Sequence, residues 1–180
     1  TTGLYTLSLH DALPISSLEG QITMDGFQGY QEWVVPFQGM YSIETIGAKG
    51  GTQPEYNLGG SGTRMKGDFL LISGEIIKIL IGQMGQDAGS DDGAGGGGGS
   101  FVSRYDNPLM VAGGGGGDGA EIYNPNNINA SIQESLGDYH GIPAPEIGFG
   151  GNCYNSSSNS AGAGGYYGNG CGSSYNGFGF

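Results

Sequence analysis

Few residues in this chain have the types and spacing that chemistry requires. After position 15, His140 is the single histidine, set in a Gly-Pro-rich stretch with no second histidine for a metal pair. It reads as a surface loop residue. Glycine spacings of dinucleotide-binding form arise from composition alone, with no helix behind them to receive a phosphate. No glycine is followed by Lys-Ser or Lys-Thr, which removes the P-loop. Asp87, Asp91 and Asp92 are the candidate calcium ligands, because clustered carboxylates with loop carbonyls suit a hard cation. A solvated acidic turn is the competing reading. Gly113 to Asp118 spells Gly-Gly-x-Gly-x-Asp, one unit of a calcium-binding β-roll. Such rolls need tandem repeats and a large apolar residue where Ala120 stands. No enzyme and no cofactor are expected.

Cys153 and Cys171 are the two cysteines, an even count that predicts a disulfide if the chain meets an oxidising compartment. Two unpaired thiols in a cytosolic protein is the alternative. Zinc is disfavoured, because two sulfurs without partner histidines fall short of its usual ligand set. Asn129-Ala130-Ser131 and Asn155-Ser156-Ser157 are glycosylation sequons, too short to decide compartment.

Residues 5–15 need separate treatment. Thr6-Leu7-Ser8-Leu9-His10-Asp11-Ala12-Leu13-Pro14-Ile15 is what ACT CTT TCC CTA CAC GAC GCT CTT CCG ATC encodes, the string of a standard short-read sequencing adapter. Tyr5 and Ser16 fit the bases on either side. Residues 1–15 are therefore read as foreign, expected to pack against nothing, and set apart from a single glycine-rich domain at 16–180. That domain is expected to be truncated at one or both ends. Without Asp11 the net charge of −12 becomes −11, so the acidic character belongs to the domain.

Glycine supplies 41 of 180 residues, well above the usual share of about 7%. Collagen is excluded, since glycine does not recur at every third place. From Tyr30 to Val111 apolar stretches alternate with glycine blocks, and those stretches can bury a core. From Gly113 onward the chain is Gly, Asn, Ser and Tyr with few aliphatics, too poor to build a core alone. No apolar run reaches the roughly 18 residues of a membrane helix, so no membrane insertion by this chain is expected.

Strand signals are clear in the first half and helix signals nearly absent. Gln31 to Phe37 is extended, and Met40 to Ile46 alternates Tyr41, Ile43 and Thr45 with Ser42 and Glu44. Thr63 to Leu71 and Glu75 to Gly82 flank Ile72-Ser73-Gly74, which reads as a hairpin turn. Phe101 to Tyr105 and Leu109 to Ala112 flank the turn-former Asp106-Asn107-Pro108. The expected fold is all-β, a sandwich or jelly roll. Its expected core is Trp33, Val35, Tyr41, Ile43, Phe69, Leu71, Ile77, Ile79, Ile81 and Val111.

Glycine blocks lie at Gly93 to Gly99, Gly113 to Gly119 and Gly162 to Gly172. Flexible linkers are one reading. The other is polyglycine in the polyproline II conformation, which turns once per three residues and points its N–H and C=O groups outward. Such helices can approach closely and bond laterally, meeting the needs of a buried backbone. On that reading Gly95, Gly96, Gly97, Gly98 and Gly99 pack beside Gly113, Gly114, Gly115, Gly116 and Gly117, or beside Gly162 to Gly165.

The order of these motifs resembles the extracellular glycine-rich domain of the anaplastic lymphoma kinase and leukocyte tyrosine kinase receptors. Trp33-Val34-Val35-Pro36 leads to Tyr41-Ser42-Ile43 and then Gly47-Ala48-Lys49-Gly50-Gly51. Gly67-Asp68-Phe69, Ile79 to Ala88, Gly93 to Val102, Pro108 to Gly116 and Gly148-Phe149-Gly150-Gly151 follow in the family's order. The likeness covers about 29–172. It implies a tumour-necrosis-factor-like β-sandwich with inserted polyglycine helices packed side by side. It also implies an extracellular or cell-surface module that binds small basic protein ligands. Any kinase would lie in sequence beyond this chain.

The five cations, Lys49, Arg64, Lys66, Lys78 and Arg104, form no basic run, and with a pI near 4.1 nucleic acid is an unsuitable partner. An acidic surface favours a basic partner, although solubility alone also accounts for the charge. The expected function is non-catalytic binding of a protein ligand or surface glycan. The alternative is a structural surface protein or adhesin built on a rigid polyglycine scaffold. Tyr123, Tyr139, Tyr154, Tyr166, Tyr167 and Tyr175 suit sugar or protein contact under either.

Overall fold

β-branched and aromatic residues in period two make strands, and the described chain consists of strands and extended loops with no helix among them. The computed structural model describes residues 29–53, 59–89, 93–118 and Tyr166, together with the strand backbones at 5–9 and 22–24. The strands are β1 (Tyr5–Leu9), β2 (Ile22–Met24), β3 (Gln31–Val34), β4 (Gly39–Ile46), β5 (Arg64–Leu71), β6 (Ile76–Leu80), β7 (Ser100–Arg104) and β8 (Asn107–Ala112). They form one sheet in the order β1-β4-β5 and a second in the order β2-β3-β6-β7-β8.

The two sheets share one core. Trp33, Val35, Tyr41, Ile43, Leu71, Ile77, Ile79, Val102 and Met110 are buried in a single cluster, with Met65, Phe69, Ile81 and Leu109 packed against it. Trp33 of β3 meets Tyr41 of β4 edge to face at 5.3 Å, so the contact ties one sheet to the other.

Three expectations are corrected. Ile72-Ser73-Gly74 is a turn, with Gly74 at φ +88° and the Glu75 N–H on Ile72 O, but it does not close a hairpin. β5 pairs with β4 whereas β6 pairs with β3 and β7, so this turn carries the chain from one sheet to the other. A turn signal reports reversal and cannot report which neighbour receives the strand.

Val111 is not in the core cluster, and Met110 takes that place. Residues opposite one another in an antiparallel pair share a face, and Met110 lies opposite the fully buried Val102. A bulge beside that pair lets Leu109 reach the cluster too. In Leu109-Met110-Val111 every residue is apolar, so the phase was not readable.

Finally, Tyr5–Leu9 does pack: its backbone runs parallel to β4, with Tyr5 opposite Tyr41 and Leu9 opposite Thr45. The physical reason is the edge of β4, whose unpaired N–H and C=O groups accept an extended chain.

Candidate functional site

The strand directions give the sandwich two unlike ends. At one end the chain leaves or enters β4, β5, β6, β7 and β8 through glycine-rich segments at 47–53, 59–63, 82–89, 93–99 and 113–118. At the other end lie the short connections 35–38, 72–75 and 105–106.

The glycine-rich end is held chiefly by bonds from backbone to backbone. Bonds recur at three-residue intervals: Gly47 and Gly50 donate to Thr63 and Gly60, and Ala48 and Gly51 donate to Gly98 and Gly95. Gly85 and Ala88 donate to Lys49 and Thr52, Ala94 and Gly97 to Asp118 and Gly115, and Gly115 and Asp118 to Ala48 and Gly51. The segment 47–53 thus bonds to all four others. A Cβ added at Gly50, Gly97, Gly114 or Gly115 would fall on the carbonyl of Gly116, Ala48, Gly97 or Gly60. Only a hydrogen fits there, and it points at a carbonyl oxygen. Of the expected partners, the blocks at 95–99 and 113–117 are joined through Gly97 and Gly115; Gly162 to Gly165 lie outside the described residues.

Three contributing segments, 47–53, 59–63 and 82–89, were not anticipated because they contain no long glycine run. Their signal is glycine at i and i+3: Gly47 and Gly50, Gly59 and Gly62, Gly82 and Gly85. The intervening Lys49, Gln83, Met84, Gln86 and Asp87 are exposed, so the segments are two-faced with a period of three.

Asp87, a calcium candidate, accepts hydrogen bonds from the backbone N–H of Thr52 at 2.7 Å and its hydroxyl at 2.9 Å. The Thr52 backbone bond, then the Thr52 hydroxyl, hold its carboxyl below the usual range. Asp87 therefore clasps 82–89 to 47–53. Asp91 and Asp92 lie outside the described residues, as do Cys153, Cys171 and His140. Asp118, from the roll-like motif, is fully buried and accepts the Gln53 N–H at 3.3 Å. No group of three or more metal-ligating side chains occurs among the described residues. Tyr166 is not available for contact: it is buried, stacked edge to face on Phe101 at 5.8 Å, with its hydroxyl on Asp106 O. Tyr123, Tyr139, Tyr154, Tyr167 and Tyr175 lie outside the described residues.

The opposite end is apolar and exposed. Phe37 is 64% exposed, Ile72 52% and Tyr105 58%, with Val34, Met40, Leu70 and Ile76 exposed beside them on the outer strand faces. Its loops are fixed rather than loose. Ser73 Oγ donates to Pro36 O, Gly74 N–H to Val35 O, and Arg104 Nη2 to Leu70 O at 3.1 Å. The Tyr41 hydroxyl donates to Phe37 O from below. Large apolar side chains are thus held out from a bonded loop frame. No protein-family model matches the chain. Among the described residues no helix is long and apolar enough to cross a membrane.

Proposed function

We propose that this chain is a non-catalytic, extracellular or cell-surface binding module that presents its loop end to a protein partner. The observation that carries this reading is the pairing of an exposed Phe37, Ile72 and Tyr105 with a rigidly cross-bonded opposite end. On this reading the glycine-rich segments are polyproline II-type helices, for which the three-residue spacing of their lateral bonds speaks. The reading keeps the tumour-necrosis-factor-like sandwich that the resemblance implies, although β6, β7 and β8 follow one another in sequence order within one sheet. The motif order shared with the anaplastic lymphoma kinase and leukocyte tyrosine kinase ectodomains supports the same assignment. A net charge of −12 favours a basic ligand.

The test is binding of the purified domain to a panel of small basic proteins and to a glycan array, with F37D and I72D variants alongside. Saturable binding of a basic protein, lost in both variants, is the expected result. Binding confined to glycans would support the adhesin reading instead. Protein binding indifferent to both substitutions would move the surface elsewhere.

A further inference from the structure

Among the described non-glycine residues Tyr105 alone has a positive φ, 54°. β7 ends at Arg104 and β8 begins at Asn107, and those two residues pair, so Tyr105 and Asp106 make a two-residue hairpin loop. Where such a loop has a positive φ at its first position alone, glycine is the usual occupant. In a chain with 41 glycines, that position instead carries a tyrosine that is 58% exposed. This conformation costs free energy in a bulky residue and persists only where the surroundings hold it.

The holding groups stand on the outer face of the sheet. Phe101 and Ser103 flank the core residue Val102 in β7, so they face away from the core, with Phe101 in register between Leu80 and Val111. Both are nevertheless buried, and Tyr166, buried too, meets the Phe101 ring edge to face. From that seat the Tyr166 hydroxyl donates to the Asp106 carbonyl at 3.1 Å, while Ser103 Oγ donates to the Tyr105 carbonyl at 3.2 Å. Lys78 Nζ lies 3.7 Å from the Asp106 carboxylate, but that side chain is 98% exposed and the pair is screened by solvent. We propose that Tyr166 is a positioning residue: seated on Phe101, it locks the β7–β8 turn and so fixes how Tyr105 is held out at the loop end. Ser103 and Lys78 belong to the sheet itself, whereas Tyr166 reaches the turn from 60 residues along the chain. The aliphatic-poor C-terminal half therefore acts on the loop end through one side chain. That Tyr105 serves binding rests on the loop-end reading above; the lock does not.

The experiment compares amide hydrogen exchange in the full chain and its Tyr166→Phe variant, which keeps the ring on Phe101 and removes only the hydroxyl. Amides at 104–107 are expected to exchange about fivefold faster in the variant, the factor to which the net worth of one hydrogen bond corresponds. Amides of β3 and β6 are expected to be unchanged. Asparagine tolerates a positive φ, so on a Tyr105→Asn background the same change is expected to matter less than about twofold. No ligand is needed, so a failed loop-end reading, tested through Phe37→Asp and Ile72→Asp, is told apart from a failed lock. Unchanged exchange at 104–107 overturns the proposal. So does a rise shared equally by β3 and β6, or a Tyr166→Phe chain that does not fold, since Tyr166 would then support the fold as a whole. An undiminished effect on the Tyr105→Asn background overturns it as well, because the lock would not act on Tyr105.

Discussion

The hydroxyl of Ser100 donates to the carbonyl of Ile46 at 2.7 Å and accepts the N–H of Gly82 at 3.1 Å. Ser100 opens β7, Ile46 closes β4, and Gly82 follows β6, so one buried side chain joins both sheets where strands give way to glycine. Replacing Ser100 with Ala leaves two backbone groups without this partner. The expected cost is about 2 kcal/mol, read from urea melts, with a Ser100→Thr variant recovering part of it.

The close approach of the glycine segments makes a sharper prediction. Gly114→Ala places a methyl group on the Gly97 carbonyl, where backbone cannot move aside. A destabilisation of about 3 kcal/mol or more is expected. Gly89→Ala meets nothing within 4 Å and serves as the matched control. Its melting temperature should stay within a few degrees of the parent, and equal losses at both sites would contradict the packing described.

Asp87 gives a pH signature. Its folded pKa is lowered by Thr52, so its stabilisation is fully present above the ordinary carboxylate range and disappears as pH falls through the lowered value. The difference in stability between the parent and Asp87→Asn should therefore shrink below about pH 4 and be constant at neutral pH. Denaturant melts across acidic pH check this; a difference that grows on acidification would reverse the assigned sign.

Cys153 and Cys171 are expected to be joined. Mass spectrometry of the unreduced protein should show the loss of two hydrogens, and a reducing agent should lower stability by about 3 kcal/mol. Two thiols that both alkylate under native conditions would remove the disulfide from the case for an extracellular location.

How far the sequence carried these conclusions depended on the kind of pattern. Alternation in Tyr41-Ser42-Ile43-Glu44-Thr45 placed Tyr41 and Ile43 in the core correctly, but it signals a strand with one face to solvent, and Ser42 and Glu44 are buried as well. The same reasoning had no purchase on Leu109-Met110-Val111, where Met110 rather than Val111 joins the core. Nor could it tell that Leu71 and Ile76 end up in different sheets, since pairing is decided by long-range contacts. At the glycine-rich end, runs such as Gly95 to Gly99 were visible, while the isolated pairs Gly47 with Gly50 and Gly82 with Gly85 were hidden by the side chains between them. The loop-end residues Phe37, Ile72 and Tyr105 left no sequence signal, because an exposed aromatic in a turn looks like any other until its neighbours are known.

A run of identical residues cannot encode its own alignment. Sliding 113–117 past 95–99 by three places would remake the same kind of bond, so glycine alone leaves several registers close in energy. What breaks the tie stands at the margins: Ala94 bonded to Asp118 at one extreme, and β7 and β8 paired through Ser100 and Ala112 at the other. Its bonds also join distant stretches of chain, as in Gly115 to Ala48. Folding should therefore be slow and ordered, with the strands docking first and the glycine segments searching among misaligned, kinetically trapped forms before the flanking residues select one.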